Sequence, residues 1–170
     1  MIVLVGFMGA GKSTVGRALA ERLGLPFLDS DRVIERAAGR SVAEIFAAEG
    51  EPTFRARERA IIADLLQGED AVLALGGGAV EDPATRGVLG EVPVVFLEAE
   101  LAAALARTGA DPRRPMLLRP DLPQLFARRQ AGYREVATII VPTRDRTIRQ
   151  VVDAVLAGLA DPARTVRDDT

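Results

Sequence analysis

A glycine-rich stretch near the start of the sequence contains the only lysine of the chain. Residues 6–13 read Gly-Phe-Met-Gly-Ala-Gly-Lys-Ser, a complete match to the phosphate-binding pattern G-x-x-x-x-G-K-[ST]. In such a loop the backbone N–H groups wrap a phosphate, the ammonium of Lys12 reaches the terminal phosphates, and the hydroxyl of Ser13 can bind Mg²⁺. Every other basic residue is arginine, whose planar guanidinium replaces a compact ammonium poorly at this position. The loop therefore predicts binding of a nucleoside triphosphate.

Two carboxylates, Asp29 and Asp31, follow the second apolar run of the chain. Residues two apart in an extended chain point to the same side, so we expect both side chains to enter one crevice. One carboxylate beside Mg²⁺ and Ser13, and the other beside an acceptor hydroxyl, would divide the work of phosphoryl transfer. The alternative is that either aspartate only caps the helix that follows.

A glycine triplet and one arginine are the remaining candidates for the same crevice. Residues 76–78 are all glycine, which allows a ligand to approach the backbone closely or the chain to turn sharply. Arg55 lies early in a predicted helix, and Glu58 on the same face can hold its guanidinium. A guanidinium held in this way suits bidentate binding of a carboxylate. For Arg57 and Arg59 we expect a solvated helix face.

Five short apolar runs, separated by helical patterns, predict the elements that position these residues. The runs lie at residues 2–5, 25–28, 71–75, 93–97 and 138–141. Helices are predicted at residues 14–23, 42–49, 52–66, from 82 onward, at 121–134 and at 147–159. This alternation indicates a three-layer α/β/α fold, with a parallel sheet covered on both faces. Because ligands bind at the carboxyl ends of such strands, the candidate residues are expected to meet there.

Composition limits the chemistry that is available. The chain of 170 residues fits a single domain. It contains neither cysteine nor histidine, which excludes disulfides, thiolate nucleophiles, imidazole bases and zinc sites built on them. Catalysis must therefore use carboxylates, arginine, lysine, hydroxyls and a metal held by oxygen.

The pattern of charge and hydropathy bears on partners and location. Residues 107–149 contain ten arginines against four carboxylates, and ATP phosphates with an acidic substrate are a sufficient explanation. No nucleic-acid-binding module is recognisable there, so we expect no nucleic acid partner. No segment approaches the ~20 apolar residues of a membrane span, and the first apolar run is too short for a signal peptide. A cytoplasmic protein is expected.

The motifs occur in one order and spacing that is similar to a known family. They are Gly6 to Ser13, Leu28-Asp29-Ser30-Asp31, Phe54-Arg55-x-x-Glu58, Gly76-Gly77-Gly78-Ala79, Arg114-Pro115 and Tyr133-Arg134. With these residues the chain resembles the shikimate kinase family from about residue 2 to 158. The resemblance implies a P-loop NTPase fold of the nucleoside monophosphate kinase type, with five parallel strands in the order 2-3-1-4-5. It also implies a reaction in which ATP phosphorylates the 3-hydroxyl of shikimate, a step of chorismate and aromatic amino acid biosynthesis.

The resemblance further implies roles for individual residues. The implied catalytic residues are Lys12, Asp31 as the base, and Arg114 on a mobile lid at about residues 110–120. The implied ATP-binding residues are Gly9, Ala10, Gly11, Lys12, Ser13, Thr14, Arg107 beside the adenine, and Arg114. Arg55 and Arg134 would bind the shikimate carboxylate, and the other implied substrate-binding residues are Asp31, Gly77, Gly78, Phe46 and Phe54. Ser13 and Asp29 would support Mg²⁺.

Some assignments stay open in the sequence. A second arginine near the adenine would be Arg144 or Arg146, and the kinase domain would span residues 1–160. Residues 161–170 are expected to form a disordered tail, and the molecule is expected to be a monomer. One alternative is a gluconate kinase-like enzyme, which would share the phosphate loop but not Asp29, Asp31, Arg55 and the glycine triplet together. The other is a nucleotide-binding module without catalysis, which would not need to keep Lys12, Ser13, Asp31 and Arg114 at once.

Overall fold

The computed structural model describes residues 1–108 and 120–161, and it contains a five-stranded parallel sheet. The strands are β1 (Ile2–Val5), β2 (Phe27–Asp29), β3 (Val72–Ala74), β4 (Val94–Glu98) and β5 (Ile139–Pro142). They lie in the order β2-β3-β1-β4-β5, and every pair of neighbours is parallel. The α/β fold class and the strand order implied by the resemblance are therefore confirmed.

Helices connect the strands. They are α1 (Lys12–Leu23), α2 (Ser30–Ala38), α3 (Val42–Leu66), α4 (Pro83–Leu89), α5 (Leu101–Thr108), α6 (Leu122–Val136) and α7 (Ile148–Ala160), with a 3₁₀ turn at Ala79–Glu81. A capping box at Ser41 begins α3, as the sequence predicts. Gly50 has φ 78° and ψ 168°, so its backbone is not helical and α3 bends there. The range given for α3 therefore contains two helical segments that meet at Gly50, which confirms the two helices predicted at 42–49 and 52–66.

The central strands form the core. In β1, Val3, Leu4 and Val5 are at most 1% exposed, and the strand registers Leu4 beside Ala74 of β3 and Val95 of β4. Strands that are buried on both faces need apolar side chains in both directions, which explains the continuous apolar runs. Within the described ranges, no helix combines the length and hydropathy that crossing a bilayer requires.

The second strand begins later than its apolar run suggests. The run at residues 25–28 predicts a strand from Leu25, but the backbone N–H of Leu25 donates to the carbonyl of Ala20 at 2.9 Å. That bond belongs to the end of α1, where Gly24 adopts a left-handed conformation with φ 67°. Leu25 therefore completes the helix terminus, and β2 starts at Phe27 and ends at Asp29.

The helix that follows the phosphate loop packs on the sheet through a glycine. A Cβ added at Gly16 would lie 2.4 Å from Cε2 of Phe27 and 3.1 Å from Cδ1 of Leu4. We expect Gly16→Ala to lower the free energy of unfolding by about 1–3 kcal/mol, because overpacking outweighs the gain in helix propensity. Urea unfolding followed by circular dichroism measures this. Gly87→Ala in α4 is the matched control, because among the described residues its Cβ would meet nothing within 4 Å, and equal effects at the two sites would contradict the close packing.

Candidate active site

The phosphate loop connects β1 to α1. Gly9 and Gly11 have φ values of 79° and 97°, which lie in the region that favours glycine. The helix begins directly after the loop at Lys12, and no described side chain caps its first N–H groups. These N–H groups and the positive end of the helix dipole suit a phosphate. The Lys12 ammonium donates to the carbonyl oxygens of Gly6 at 2.6 Å and Phe7 at 3.2 Å, so it folds back over the same loop.

Ser13 and Asp29 lie together beside this loop. The Ser13 hydroxyl donates to Oδ2 of Asp29 at 3.2 Å, while Oδ1 of Asp29 accepts from the backbone N–H of Arg32 at 3.4 Å. Asp29 therefore caps α2 and also faces Ser13. A hydroxyl and a carboxylate are ligands that fit Mg²⁺, which completes its shell with water and phosphate oxygens. Among the described residues, no group of three or more acidic side chains could hold a metal ion. Water and phosphate oxygens would therefore supply the other ligands.

The spacing of Asp31 from Asp29 suggests an extended backbone, but Asp31 lies in the first turn of α2, which begins at Ser30. The expectation of an extended Asp29-Ser30-Asp31 segment is wrong, and the helix turn itself directs Asp31 toward the end of β3. A Cβ added at Gly76 would lie 2.5 Å from Oδ1 of Asp31 and 2.8 Å from Oε1 of Glu58. The Gly76 N–H donates to the buried Ser30 hydroxyl at 2.9 Å. The two carboxyl groups therefore meet over a glycine that has no room for a side chain.

Their environment changes the titration of both carboxyl groups. Burial is the main cause that raises the pKa of Asp31, and the charge of Asp29 raises it further, while Lys12 and Arg55 oppose the rise. Burial also raises the pKa of Glu58 to about 7, although Arg55 partly offsets this effect. A carboxylate whose pKa moves toward neutral pH is a stronger base, which suits Asp31 for accepting a proton.

Arg55 is held from several sides. Its Nη1 donates to Oε2 of Glu58 at 2.6 Å, and its Nε and Nη2 donate to Oε1 of Glu51 at 3.3 and 3.1 Å. Its guanidinium carbon lies 5.7 Å from the ring centre of Phe46 and 5.5 Å from that of Phe54. A Cβ at Gly78 would come within 2.3 Å of Nη2. The guanidinium is therefore fixed against the last glycine of the triplet, with Phe46 and Phe54 as neighbouring walls.

The structure places a different arginine of α6 at the glycine triplet from the one that the resemblance implies. Arg134 is 54% exposed, and the contacts described for it are an ion pair with Glu98 and a cation–π contact 6.0 Å from the Phe96 ring centre. Arg129, in contrast, is 4% exposed and shares the carboxylate of Glu81 with Arg55. The Arg129 Nη1 would lie 3.6 Å from a Cβ at Gly77. The structure thus brings Arg129, and not Arg134, together with Arg55 and the glycine triplet.

A signal in the sequence could have identified Arg129. Leu122, Leu125, Arg129 and Tyr133 form the buried face of α6. Tyr133 donates its hydroxyl to the carbonyl of Gly77 at 2.5 Å. The spacings of three and four residues place an arginine in an otherwise apolar stripe, and a buried arginine needs partners. Glu81, which supplies one, had no role in the sequence interpretation.

The remaining candidates lie nearer the phosphate loop or outside the described chain. Arg107 donates from Nη1 to the Gly9 carbonyl at 3.4 Å, and Thr14 lies in the first turn of α1. Arg144 pairs with Glu100 and Asp145. Three expected features lie outside the described residues. They are Arg114, the expected lid apart from Pro120, and the expected tail apart from Asp161.

Fold and site together define a class of protein. A phosphate loop with its lysine, a hydroxyl beside a carboxylate, and a polar crevice at the same edge of a 2-3-1-4-5 parallel sheet are the parts of a P-loop kinase that acts on a small molecule. The sequence profile of the shikimate kinase family matches residues 8–160. The chain belongs to the shikimate kinase family, and it is a transferase whose reaction is the ATP-dependent phosphorylation of shikimate.

Individual relatives agree with this assignment. The chain is similar to the shikimate kinase of Thermobifida fusca (strain YX), with 46% identity over 162 residues that cover 94% of each protein. A solved structure of shikimate kinase from Acinetobacter baumannii in complex with shikimate matches with a TM-score of 0.89 and 41% identity, covering 94% of this chain and 92% of that one. A gluconokinase from Sinorhizobium meliloti 1021 has a TM-score of 0.60 at 23% identity, covering 94% of this chain and 90% of that one, which shows the fold alone.

The raised pKa of Glu58 predicts how stability depends on pH. The folded pKa of about 7 exceeds the ordinary value of 4.5, so the folded state binds the proton more tightly than the unfolded state. The resulting stabilisation is fully present below about pH 4.5 and is lost as the pH rises through 7. Between these pH limits this effect lowers the free energy of unfolding of the wild type by up to about 3 kcal/mol. We expect this decline to be absent in Glu58→Gln.

Urea unfolding at a series of pH values from 4.5 to 8 measures this decline. The charge of Asp31 is one of the causes that raise the pKa of Glu58, so the difference between the two profiles includes the coupling of these two carboxyl groups. Glu91→Gln, at an exposed position, is the control for loss of a carboxyl group. Parallel profiles for the wild type and Glu58→Gln would contradict the raised pKa of Glu58.

Proposed function

We propose that the crevice at the carboxyl ends of β1, β2 and β3 transfers the γ-phosphoryl group of ATP to the 3-hydroxyl of shikimate. The observation that carries the proposal is the meeting of Asp31, Glu58 and Arg55 at the glycine triplet. This contact supports the proposal, because a carboxyl group suited to act as a base lies near a cation suited to bind a carboxylate, next to the loop that would hold ATP. An acceptor that carries both a hydroxyl and a carboxylate fits these two groups.

The proposed reaction is an in-line displacement. Asp31 accepts the proton of the acceptor hydroxyl as its oxygen forms a bond to the γ-phosphorus, and the bond from that phosphorus to the bridging oxygen breaks to release ADP. Lys12 and the loop N–H groups would hold the phosphate oxygens, so that positioning and charge compensation supply most of the rate enhancement. Arg114 would add charge to the transferring group, a role that rests on the family resemblance.

Mg²⁺ is the proposed cofactor, and Ser13 and Asp29 would hold it. When bound, it would neutralise charge on the β- and γ-phosphate oxygens. The hydrogen bond between the Ser13 hydroxyl and Asp29 supports the assignment, because it brings two oxygen ligands together beside the loop.

Arg55 and Arg129 are proposed to bind the acceptor carboxylate, in place of the pair Arg55 and Arg134 that the sequence suggests. Both proposed arginines face the glycine triplet, Arg55 at Gly78 and Arg129 at Gly77. Two guanidinium groups on one carboxylate fix its orientation as well as its position. Phe46 and Phe54 would cover the acceptor ring beside Arg55, and Arg107 would lie on the adenine side of the loop.

Other features of the proposed enzyme follow from the same residues. A single kinase domain over residues 1–160, acting as a monomer, is part of the same proposal. ATP is a cytoplasmic substrate, which supports a cytoplasmic location, and neither a nucleic acid nor a membrane is a proposed partner. The two alternatives, a gluconate kinase-like enzyme and a module without catalysis, make different predictions about the acceptor.

The acceptor and the base are tested together by ADP release. With ATP and Mg²⁺, we expect rapid release with shikimate and background release with gluconate or without an acceptor. Asp31→Asn should lower kcat with shikimate by about 10²- to 10⁴-fold, because it removes the base, while ATP affinity measured by calorimetry stays the same. Rapid release with gluconate, or a fully active Asp31→Asn enzyme, would contradict the proposal, and ATP binding without release for any acceptor would favour the non-catalytic module.

The two arginines of α6 are distinguished by their effect on the acceptor. We expect Arg129→Ala to raise the KM for shikimate by about 10- to 100-fold, in line with the loss of a hydrogen bond to a charged group. Arg134→Ala is the matched control on the same helix and should change this KM less than threefold, because Arg134 pairs with Glu98. Steady-state kinetics at saturating ATP measures both, and the opposite ranking would restore Arg134 to the acceptor site.

A further inference from the structure

The carboxylate of Glu81 contacts both Arg55 and Arg129, the two arginines that are proposed to bind the acceptor carboxylate. Its Oε2 lies 2.7 Å from Nη2 and 3.0 Å from Nε of Arg129, and 3.9 Å from Nη2 of Arg55. Glu81 ends the 3₁₀ turn that follows the glycine triplet, and its side chain is 25% exposed. One carboxylate oxygen therefore bridges the two guanidinium groups.

Three carboxyl groups of the protein already contact this pair of arginines without an acceptor. Glu51 and Glu58 contact Arg55, and Glu81 contacts both Arg55 and Arg129. An acceptor carboxylate that binds the same two guanidinium groups comes within a few ångströms of Glu81. Like charges at such a distance repel each other even when solvent screens them, so Glu81 and the acceptor carboxylate compete for the arginines.

Glu81 has a further cationic partner outside the pair of Arg55 and Arg129. Its Oε1 lies 3.4 Å from Nε of Arg128, whose side chain is 60% exposed. A surface cavity of about 450 Å³ is lined by Glu81 together with Arg55, Arg59 and others. Glu81 can therefore turn outward, toward Arg128 and this cavity, without becoming a buried charge that lacks a partner.

We propose that Glu81 is a specificity-determining residue, which occupies the pair of Arg55 and Arg129 in the substrate-free enzyme and is displaced toward Arg128 by the acceptor carboxylate. The inference rests on the proposed function, since it assumes that this pair binds the acceptor. It gives Glu81 two effects. Affinity for the carboxylate acceptor is lower than the arginines alone would provide, and an acceptor without a carboxylate cannot displace Glu81, so it is rejected.

Isothermal titration calorimetry of shikimate binding to the nucleotide-free enzyme tests the inference. Glu81→Gln removes the competing charge and keeps the size of the side chain, so we expect the Kd for shikimate to fall by about three- to tenfold. Glu98→Gln is the matched control, because Glu98 is 27% exposed and pairs with Arg134, which lies on α6 like Arg129. The Kd of Glu98→Gln for shikimate should equal that of the wild type. An unchanged or higher Kd for Glu81→Gln would overturn the inference and leave Glu81 as a support for Arg129.

A neutral ligand and a second variant separate the possible failures. The carboxamide analogue of shikimate should also gain affinity from Glu81→Gln, because the charge that excludes it is gone, and a gain confined to shikimate would overturn the role of Glu81 in rejecting acceptors without a carboxylate. Arg129→Ala tests the assumption beneath the inference, because wild-type shikimate affinity in that variant would remove the proposed arginine pair itself. Weaker binding by Arg129→Ala without tighter binding by Glu81→Gln would overturn only the role of Glu81.

Discussion

The close packing of charged side chains on the backbone of Gly76, Gly77 and Gly78 is the constraint on which the rest of the site depends. Atoms of Asp31 and Glu58 occupy the space of a side chain at Gly76, and the Arg55 guanidinium occupies that space at Gly78. Any side chain at these two positions would push the reactive groups apart. The triplet lies at the end of the short strand β3, between β2 and β1, so the sheet brings the acceptor site beside the phosphate loop.

Burial of Glu58 and Arg129 is possible because each has a partner of opposite charge. Glu58 is only 3% exposed and is held by Arg55, while Arg129 is 4% exposed and is held by Glu81. Breaking one such pair would leave an uncompensated buried charge, which is costly. The same burial raises the pKa values of Asp31 and Glu58. The exclusion of water that raises the pKa of Asp31 therefore also costs stability at neutral pH, where burial disfavours the charge of Glu58.

Local features could be predicted from the sequence, whereas long-range contacts could not. The phosphate loop and the pair Arg55 and Glu58 lie within single short segments, so their spacing alone indicates their geometry. Arg129 and Arg134 lie five residues apart on one helix and hence on different faces, and only the placement of α6 against Gly77 decides between them. Asp31 shows a different failure, because the turn into α2 replaced the extended geometry that its spacing suggested. Glu81 depends entirely on contacts with residues about 26 and 48 positions away.

The central claim is that one acceptor is held by its carboxylate at Arg55 and Arg129 while its hydroxyl lies at Asp31. A crystal structure of the protein with ADP, Mg²⁺ and shikimate tests this most directly. The account predicts hydrogen bonds of roughly 2.7–3.2 Å from both guanidinium groups to the shikimate carboxylate, with the 3-hydroxyl within the same range of an Asp31 oxygen. A carboxylate bound to Arg134, or a 3-hydroxyl directed away from Asp31, would contradict it.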